Sequence, residues 1–138
     1  MKTIRIQRID DQVPPPSGNP FSVCSRIMFI LTRGHTTVLP TGLKIDIPDE
    51  TRLVVDRNLK DGIVITGCCK LEGDELGLSI CSPYDTDMIV IRPYDKLASM
   101  SVVGTNLENI RFVEYSAEGK RQAVFGDAAA TVSSSKAE

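Results

Sequence analysis

Apolar and polar residues alternate with a period of two along several short stretches of the chain. Ile4 and Ile6 alternate with Arg5 and Gln7, and Leu43, Ile45 and Ile47 alternate with Lys44 and Asp46. A two-residue period puts one set on a single face of an extended chain. Short β-branched or apolar runs recur at Leu53–Val55, Ile63–Ile65, Leu78–Cys81 and Met88–Ile91. Turn-forming residues separate them: Arg33-Gly34, Pro40-Thr41-Gly42, Pro48-Asp49, Asp61-Gly62, Gly73-Asp74, Ser82-Pro83-Tyr84-Asp85 and Arg92-Pro93-Tyr94-Asp95. Strands of this length at this spacing, with almost no helical period, predict an all-β fold, a compact barrel or sandwich.

Three segments depart from the alternation. Ile27-Met28-Phe29-Ile30-Leu31 is an unbroken apolar run, the signature of a strand buried on both faces or in a subunit contact. Pro14–Pro20 reads as a rigid loop or an arm laid over a neighbour. From Gly126 the chain becomes small and polar, and by itself such a composition cannot bury enough apolar surface to order. The expected organisation is one β domain over 1–126 and a C-terminal tail or arm over 127–138.

Composition narrows the function classes. The chain has 138 residues, a length that fits one domain. Sixteen basic and eighteen acidic residues give a net charge of −2, which argues against a general polyanion binder. Trp is absent and aromatic residues are 5%, so base-stacking platforms are scarce and no nucleic-acid partner is expected. The charge is uneven: residues 1–70 carry ten cations and seven anions, residues 71–138 six and eleven. No apolar run approaches the ~18 residues of a membrane span, so no membrane partner is expected. The first residues lack the apolar stretch of a signal peptide. The cysteines Cys24, Cys68, Cys69 and Cys81 and the single His35 form no zinc spacing. Adjacent Cys68 and Cys69 must point to opposite faces of a strand, and four free thiols in a reducing compartment are expected. His35 reads as a solvent-exposed turn residue. Neither a metal nor a cofactor is expected.

The stretch Gly34-His35-Thr36-Thr37-Val38-Leu39-Pro40-Thr41-Gly42-Leu43-Lys44-Ile45-Asp46-Ile47-Pro48 resembles the trimeric dUTP pyrophosphatases (dUTPases), in which an apolar pair followed by Pro-Thr-Gly-Leu turns one strand into the next. Met1–Ile6, Asp61–Ile65, Leu78–Ile80 and Met88–Met100 resemble other parts of that family in the same order. The resemblance implies a distorted β-barrel or jelly-roll protomer. It also implies a homotrimer with sites between subunits and a C-terminal arm reaching across to a neighbour.

The family's motifs are altered where its chemistry occurs. The first supplies an Asp, whereas Ser22–Leu31 contains no acid. The second is Pro-Arg-Ser; here Asp56-Arg57-Asn58 keeps only the Arg. The third, Ile-Asp-x-Asp-Tyr-x-Gly, supplies the water-activating Asp and a Tyr that stacks on deoxyribose. It reads Leu71-Glu72-Gly73-Asp74-Glu75-Leu76-Gly77, with Glu72 as base and Glu75 for the Tyr. A base displaced by ~1 Å can lose about a hundredfold in rate. The bland reading of Glu72–Glu75 is an acidic hairpin turn, and that of Arg57 a surface or interface ion pair. The fourth motif survives as Tyr94–Ser99, where it shapes a turn. The glycine-rich fifth reads Lys120-Arg121-Gln122-Ala123-Val124-Phe125-Gly126, and β-branched Val124 cannot follow glycine's torsions at low cost.

The resemblance with these losses implies a non-catalytic homotrimeric structural protein, no longer an enzyme and with no catalytic residue. Its most concrete form is a viral capsid decoration (cement) protein that binds itself and the major capsid protein or another protein lattice, located on the virion surface. Two alternatives stay open. One is a divergent dUTP or nucleotide pyrophosphatase with Glu72, Asp74 and Arg57 as site residues and Lys120 and Arg121 near the phosphates. The other is a regulatory protein-binding module derived from a dUTPase. A non-virion protein would be cytoplasmic.

Overall fold

In a computed structural model, residues 2–83, 87–104, 110–115 and 121–125 are described. They form eleven strands and one 3-10 turn: β1 Lys2–Arg8, β2 Phe21–Cys24, β3 Phe29–Thr32, β4 Thr36–Asp46, β5 Thr51–Asn58, β6 Val64–Lys70, the turn Glu72–Asp74, β7 Glu75–Cys81, β8 Met88–Ile91, β9 Lys96–Gly104, β10 Ile110–Tyr115 and β11 Arg121–Phe125. The alternating segments around Ile4, Leu43, Leu53, Ile63, Leu78 and Met88 all lie in or at the start of strands.

Six strands make one sheet in the order β11-β10-β1-β4-β7-β6; β2-β9-β5 and β3-β8 form two smaller ones. The first strand pairs parallel with β10, and every other pairing is antiparallel. Inward residues of all three sheets meet in one core. Ile4, Leu39, Leu78, Ile80 and Phe112 come from the large sheet, Phe21, Leu97 and Met100 from the second, and Leu31 and Ile91 from the third. Phe21 meets Phe112 edge to face, with ring centroids 5.3 Å apart, a favoured aromatic geometry.

The turn chemistry explains why β4 tolerates proline. The ladder between β4 and β7 breaks between Pro40 and Lys44, so a bulge removes the need for an amide hydrogen at Pro40. Within the bulge Thr41 donates its hydroxyl to the Leu76 carbonyl at 2.8 Å. Gly42 takes a φ of +77°, which residues with a Cβ rarely adopt.

The structure narrows two expectations. The run Ile27–Leu31 is not buried on both faces within the chain: Leu31 is in the core while Ile30 is 48% and Met28 59% exposed. Pro14–Pro20 lies against its own chain as a loop, with Pro16 buried. Val13 is buried, Arg8 Nη1 donates to its carbonyl at 2.9 Å, and the Ile9 amide donates to Gly42 O at 2.9 Å. Further on, Asn19 pairs with the Val102 backbone in both directions, at 3.0 and 2.9 Å. The arm or tail beyond 126 lies outside the described residues.

Candidate functional site

The residues singled out from the third motif fall on two different surfaces. Glu72 and Asp74 sit on the exposed 3-10 turn between β6 and β7. Lys70 Nζ stands 3.9 Å from Asp74 Oδ1, with both side chains largely solvated. Such a pair is worth little. This much agrees with an acidic hairpin turn. Glu75 does not belong to it: its side chain is buried.

The cause is the register of β7. Leu76, Leu78 and Ile80 face the core, so alternation puts Glu75, Gly77 and Ser79 on the opposite face of the sheet. Glu75 is nevertheless covered there. Arg26 Nε donates to Oε2 at 2.9 Å and Arg26 Nη2 to Oε1 at 3.2 Å. The Gly42 amide donates to Oε2 at 2.6 Å. A carboxylate with three donors is well compensated for its burial. In return, hydrogen bonding to Glu75 raises the pKa of the Arg26 guanidinium, opposed by a smaller effect of burial.

Neighbouring groups fix this cluster. Arg26 N donates to Pro40 O at 2.8 Å, Ser25 N to Asp95 O at 3.0 Å, and Tyr94 N to Ser25 O at 2.6 Å. Tyr94, in the left-handed region at φ +70°, donates its hydroxyl to Asp10 Oδ2 at 3.2 Å. Val13 fills the notch over Gly42; a Cβ there would lie 2.7 Å from Val13 Cγ2. A second pair anchors the same loop: Arg8 Nε and Nη2 donate to Glu114 at 2.9 and 3.0 Å.

Arg26 was not among the candidates read from the sequence. The signal was present: the segment where the family carries an acid holds a cation, and the position of its Tyr holds an anion.

The remaining candidates are dispersed within one protomer. Arg57 is exposed on β5, opposite Ser99 in the β2-β9-β5 sheet, whereas the Glu72–Asp74 turn joins two strands of the large sheet; Arg57 forms no ion pair among the described residues. Of its two readings, a surface or an interface ion pair, the first is not formed among the described residues. The protomer does not bring Arg57 to Glu72 and Asp74. Arg121 opens β11 opposite Tyr115, and Lys120 lies outside the described residues. No group of three or more His, Cys, Asp or Glu able to hold a metal is found among the described residues.

The thiols behave as small apolar groups. Cys24 is buried and Cys68 half-buried, Cys69 is exposed, and all four are unpaired. The opposite facing of Cys68 and Cys69 follows the pleat. Burial pushes the Cys24 and Cys68 thiols up. His35 is exposed beside Thr32.

No family model matches the sequence, and no curated protein matches it. Solved structures do. A mutant dUTPase from phage phi11 of S. aureus aligns with a TM-score of 0.62 at 16% identity, covering 75% of this chain and 92% of that one. A mutant dUTPase of Staphylococcus bacteriophage 80alpha with dUpNHpp aligns with a TM-score of 0.61 at 14% identity, over 76% and 87% of the two chains. That phage enzyme is described as controlling transfer of virulence genes by a G protein-like mechanism. A further 80alpha dUTPase mutant gives a TM-score of 0.63 at 14% identity, over 76% and 84%. The chain therefore has a dUTPase-like β fold. The expectation that it is no enzyme does not stand. The structures it matches are dUTPases, and altered motifs on that fold do not establish that activity is lost.

Proposed function

We propose that the chain is a homotrimeric structural protein that works by protein–protein contact, in its most concrete form as a decoration protein on a viral capsid. The observation that carries this reading is the outward face of the β3-β8 pair. Ile30 stands opposite Val90 and Thr32 opposite Met88. Met28, Ile30 and Met88 share the parity of that face and are 59%, 48% and 60% exposed. Clustered apolar side chains on a surface mark a contact site more often than scattered ones do. Burying the exposed parts of these three would stabilise a complex by about 1 kcal/mol each. The dUTPase-like fold supports the trimeric part of the reading, and the uneven charge of the two chain halves supports docking between subunits.

The test measures mass in solution and co-sedimentation with shells of the candidate major capsid protein. Trimers that sediment with shells, and an Ile30→Asp variant that no longer does, are expected. A monomer, or a trimer that leaves the shells bare, overturns the reading.

A second reading is favoured by the same fold likeness: a divergent nucleotide pyrophosphatase with Glu72 as general base, Asp74 beside it and Arg57 contributed by another protomer. Glu72 and Asp74 share one exposed turn, where they are accessible to a substrate. Magnesium-dependent release of pyrophosphate from dUTP, abolished by Glu72→Gln, decides for it.

A further inference from the structure

The outer face of the large sheet has two parts. Around β1 and the end of β4 the outward side chains are Arg5, Gln7, Lys44 and Asp46, alternating with the buried Ile4, Ile6, Leu43 and Ile45. This is the polar outer face usual for antiparallel strands. The other part spans Thr36–Pro40, Gly77–Cys81 and Val64–Cys69, three paired segments without one charged residue. Thr36, Cys81 and Val64 stand in one outward row, and Val38, Ser79 and Gly67 in the next. Leu39, Leu78 and Ile80 point the other way, into the core. Val38 is 42% and Val64 43% exposed. Val38 and Leu71 converge over Gly77, where a Cβ would lie 2.9 Å from Val38 Cγ1 and from Leu71 Cγ. Beside them the surface is recessed. Thr66 turns its hydroxyl onto Ser79 Oγ at 2.9 Å, and a Cβ on Gly67 would meet nothing within 4 Å beyond its own chain neighbours.

The β3-β8 face is its counterpart. Its outward strand positions, Ile30, Thr32, Met88 and Val90, are also uncharged, but here long side chains, those of Met28, Ile30 and Met88, project into solvent. Loss of charge marks the centre of a protein contact, and methionine adapts its shape to an irregular partner. Projecting side chains fit a recess floored by glycine, serine and threonine better than they fit a copy of themselves. A ring of three identical subunits needs two such unlike patches on each chain, because each of its contacts joins different surfaces. We propose that the β3-β8 face of one protomer docks on the β4-β7-β6 face of the next, with Ile30 and Met88 lodged over Gly67 and Ser79, and that three such contacts close the trimer. This inference rests on the homotrimeric reading above and names the surface that its apolar face would meet.

The test mixes two variants of the full chain. Ile30→Asp blocks one face and Val38→Asp the other, both at exposed positions outside the core. Light scattering should read a trimer for the wild type and a monomer for each variant alone. Mixed in equal amounts at high concentration, the two variants keep one intact pair of faces, the β4-β7-β6 face of the first and the β3-β8 face of the second. They should form a dimer holding one copy of each. Met88→Glu mixed with Val64→Glu should repeat the result, and circular dichroism checks that all four variants fold. A wild type that is monomeric, or that grows into open chains with concentration, overturns the homotrimeric reading and this inference with it. A trimeric wild type whose folded variants stay associated alone, or do not combine when mixed, overturns the docking and leaves the trimer standing.

Discussion

Arg26 and Glu75, 49 residues apart in sequence, meet through two hydrogen bonds of 2.9 and 3.2 Å. Their pairing closes the loop after β2 onto the start of β7. The Glu75 carboxylate also accepts the Gly42 amide at 2.6 Å, so one side chain ties together three turns. Removing it leaves a partly covered guanidinium and an amide without their acceptor. Glu75→Ala is expected to lower stability by about 2–3 kcal/mol. Glu75→Gln, which keeps an acceptor for Gly42, should lose about half as much. Urea unfolding monitored by circular dichroism measures both.

Gly42 carries a second, separable constraint. Its φ of +77° disfavours any Cβ, and a Cβ there would press on Val13 Cγ2 at 2.7 Å. Gly42→Ala should cost about 1–3 kcal/mol. Combining it with Val13→Ala relieves the clash but not the torsion. The double variant is therefore expected to be more stable than the two single losses add up to, by about 0.5 kcal/mol or more. A thermodynamic cycle of the four proteins reads this directly.

The carboxylate of Asp95 predicts the sign of a pH effect. It accepts the Arg92 amide at 2.9 Å and Lys60 Nζ at 2.9 Å. These bonds, the backbone one first, hold its carboxyl below the ordinary value of 3.8, against a smaller opposing effect of burial. A pKa depressed in the folded state adds stability that is fully present above the unfolded value and is lost as the pH falls through the folded one. Acidification from about pH 5 toward about pH 2 should therefore destabilise the wild type more than Asp95→Asn. The difference between the two unfolding midpoints across that range is the measurement.

The exposed apolar face separates stability from association. Met88→Glu and Ile30→Asp place charges where the side chains are already largely solvated. Each should change the unfolding free energy of the isolated chain by no more than about 0.5 kcal/mol. On the proposed function, the same variants lower the mass measured in solution or the amount bound to shells.

Core truncation should behave in the opposite way. Phe112 is fully buried and meets Phe21 edge to face. Phe112→Ala is expected to cost about 3–5 kcal/mol, with loss of cooperativity in thermal unfolding as the readout.

Much of the fold was legible because a period of two is a local property. Ile4, Ile6, Leu43, Ile45, Leu78 and Ile80 report their inward face from spacing alone, and all six are buried. Pro40-Thr41-Gly42 reads as a turn between two strands, whereas β4 runs from Thr36 to Asp46 with a bulge there. The Ile27–Leu31 run was ambiguous, because an unbroken apolar sequence does not say which of its faces has a partner. The charges misled. Glu72, Asp74 and Glu75 are neighbours in the chain and look like one acidic turn. Glu72 and Asp74 lie on the exposed 3-10 turn, whereas Glu75 is the first residue of β7, on the face opposite Leu76, and comes under Arg26.

The alternation of side chains and the placing of turn residues, both short-range, were enough to determine an all-β chain and the inward face of strands such as β1, β4 and β7. Only the tertiary structure decided that Arg26 reaches Glu75, that Val13 closes over Gly42, that Arg57 stands apart from Glu72 and Asp74, and that Met28, Ile30 and Met88 form one uncovered face. These are contacts or separations between segments far apart in the chain. They depend on which strands pair and in what register, and a local pattern carries no record of either.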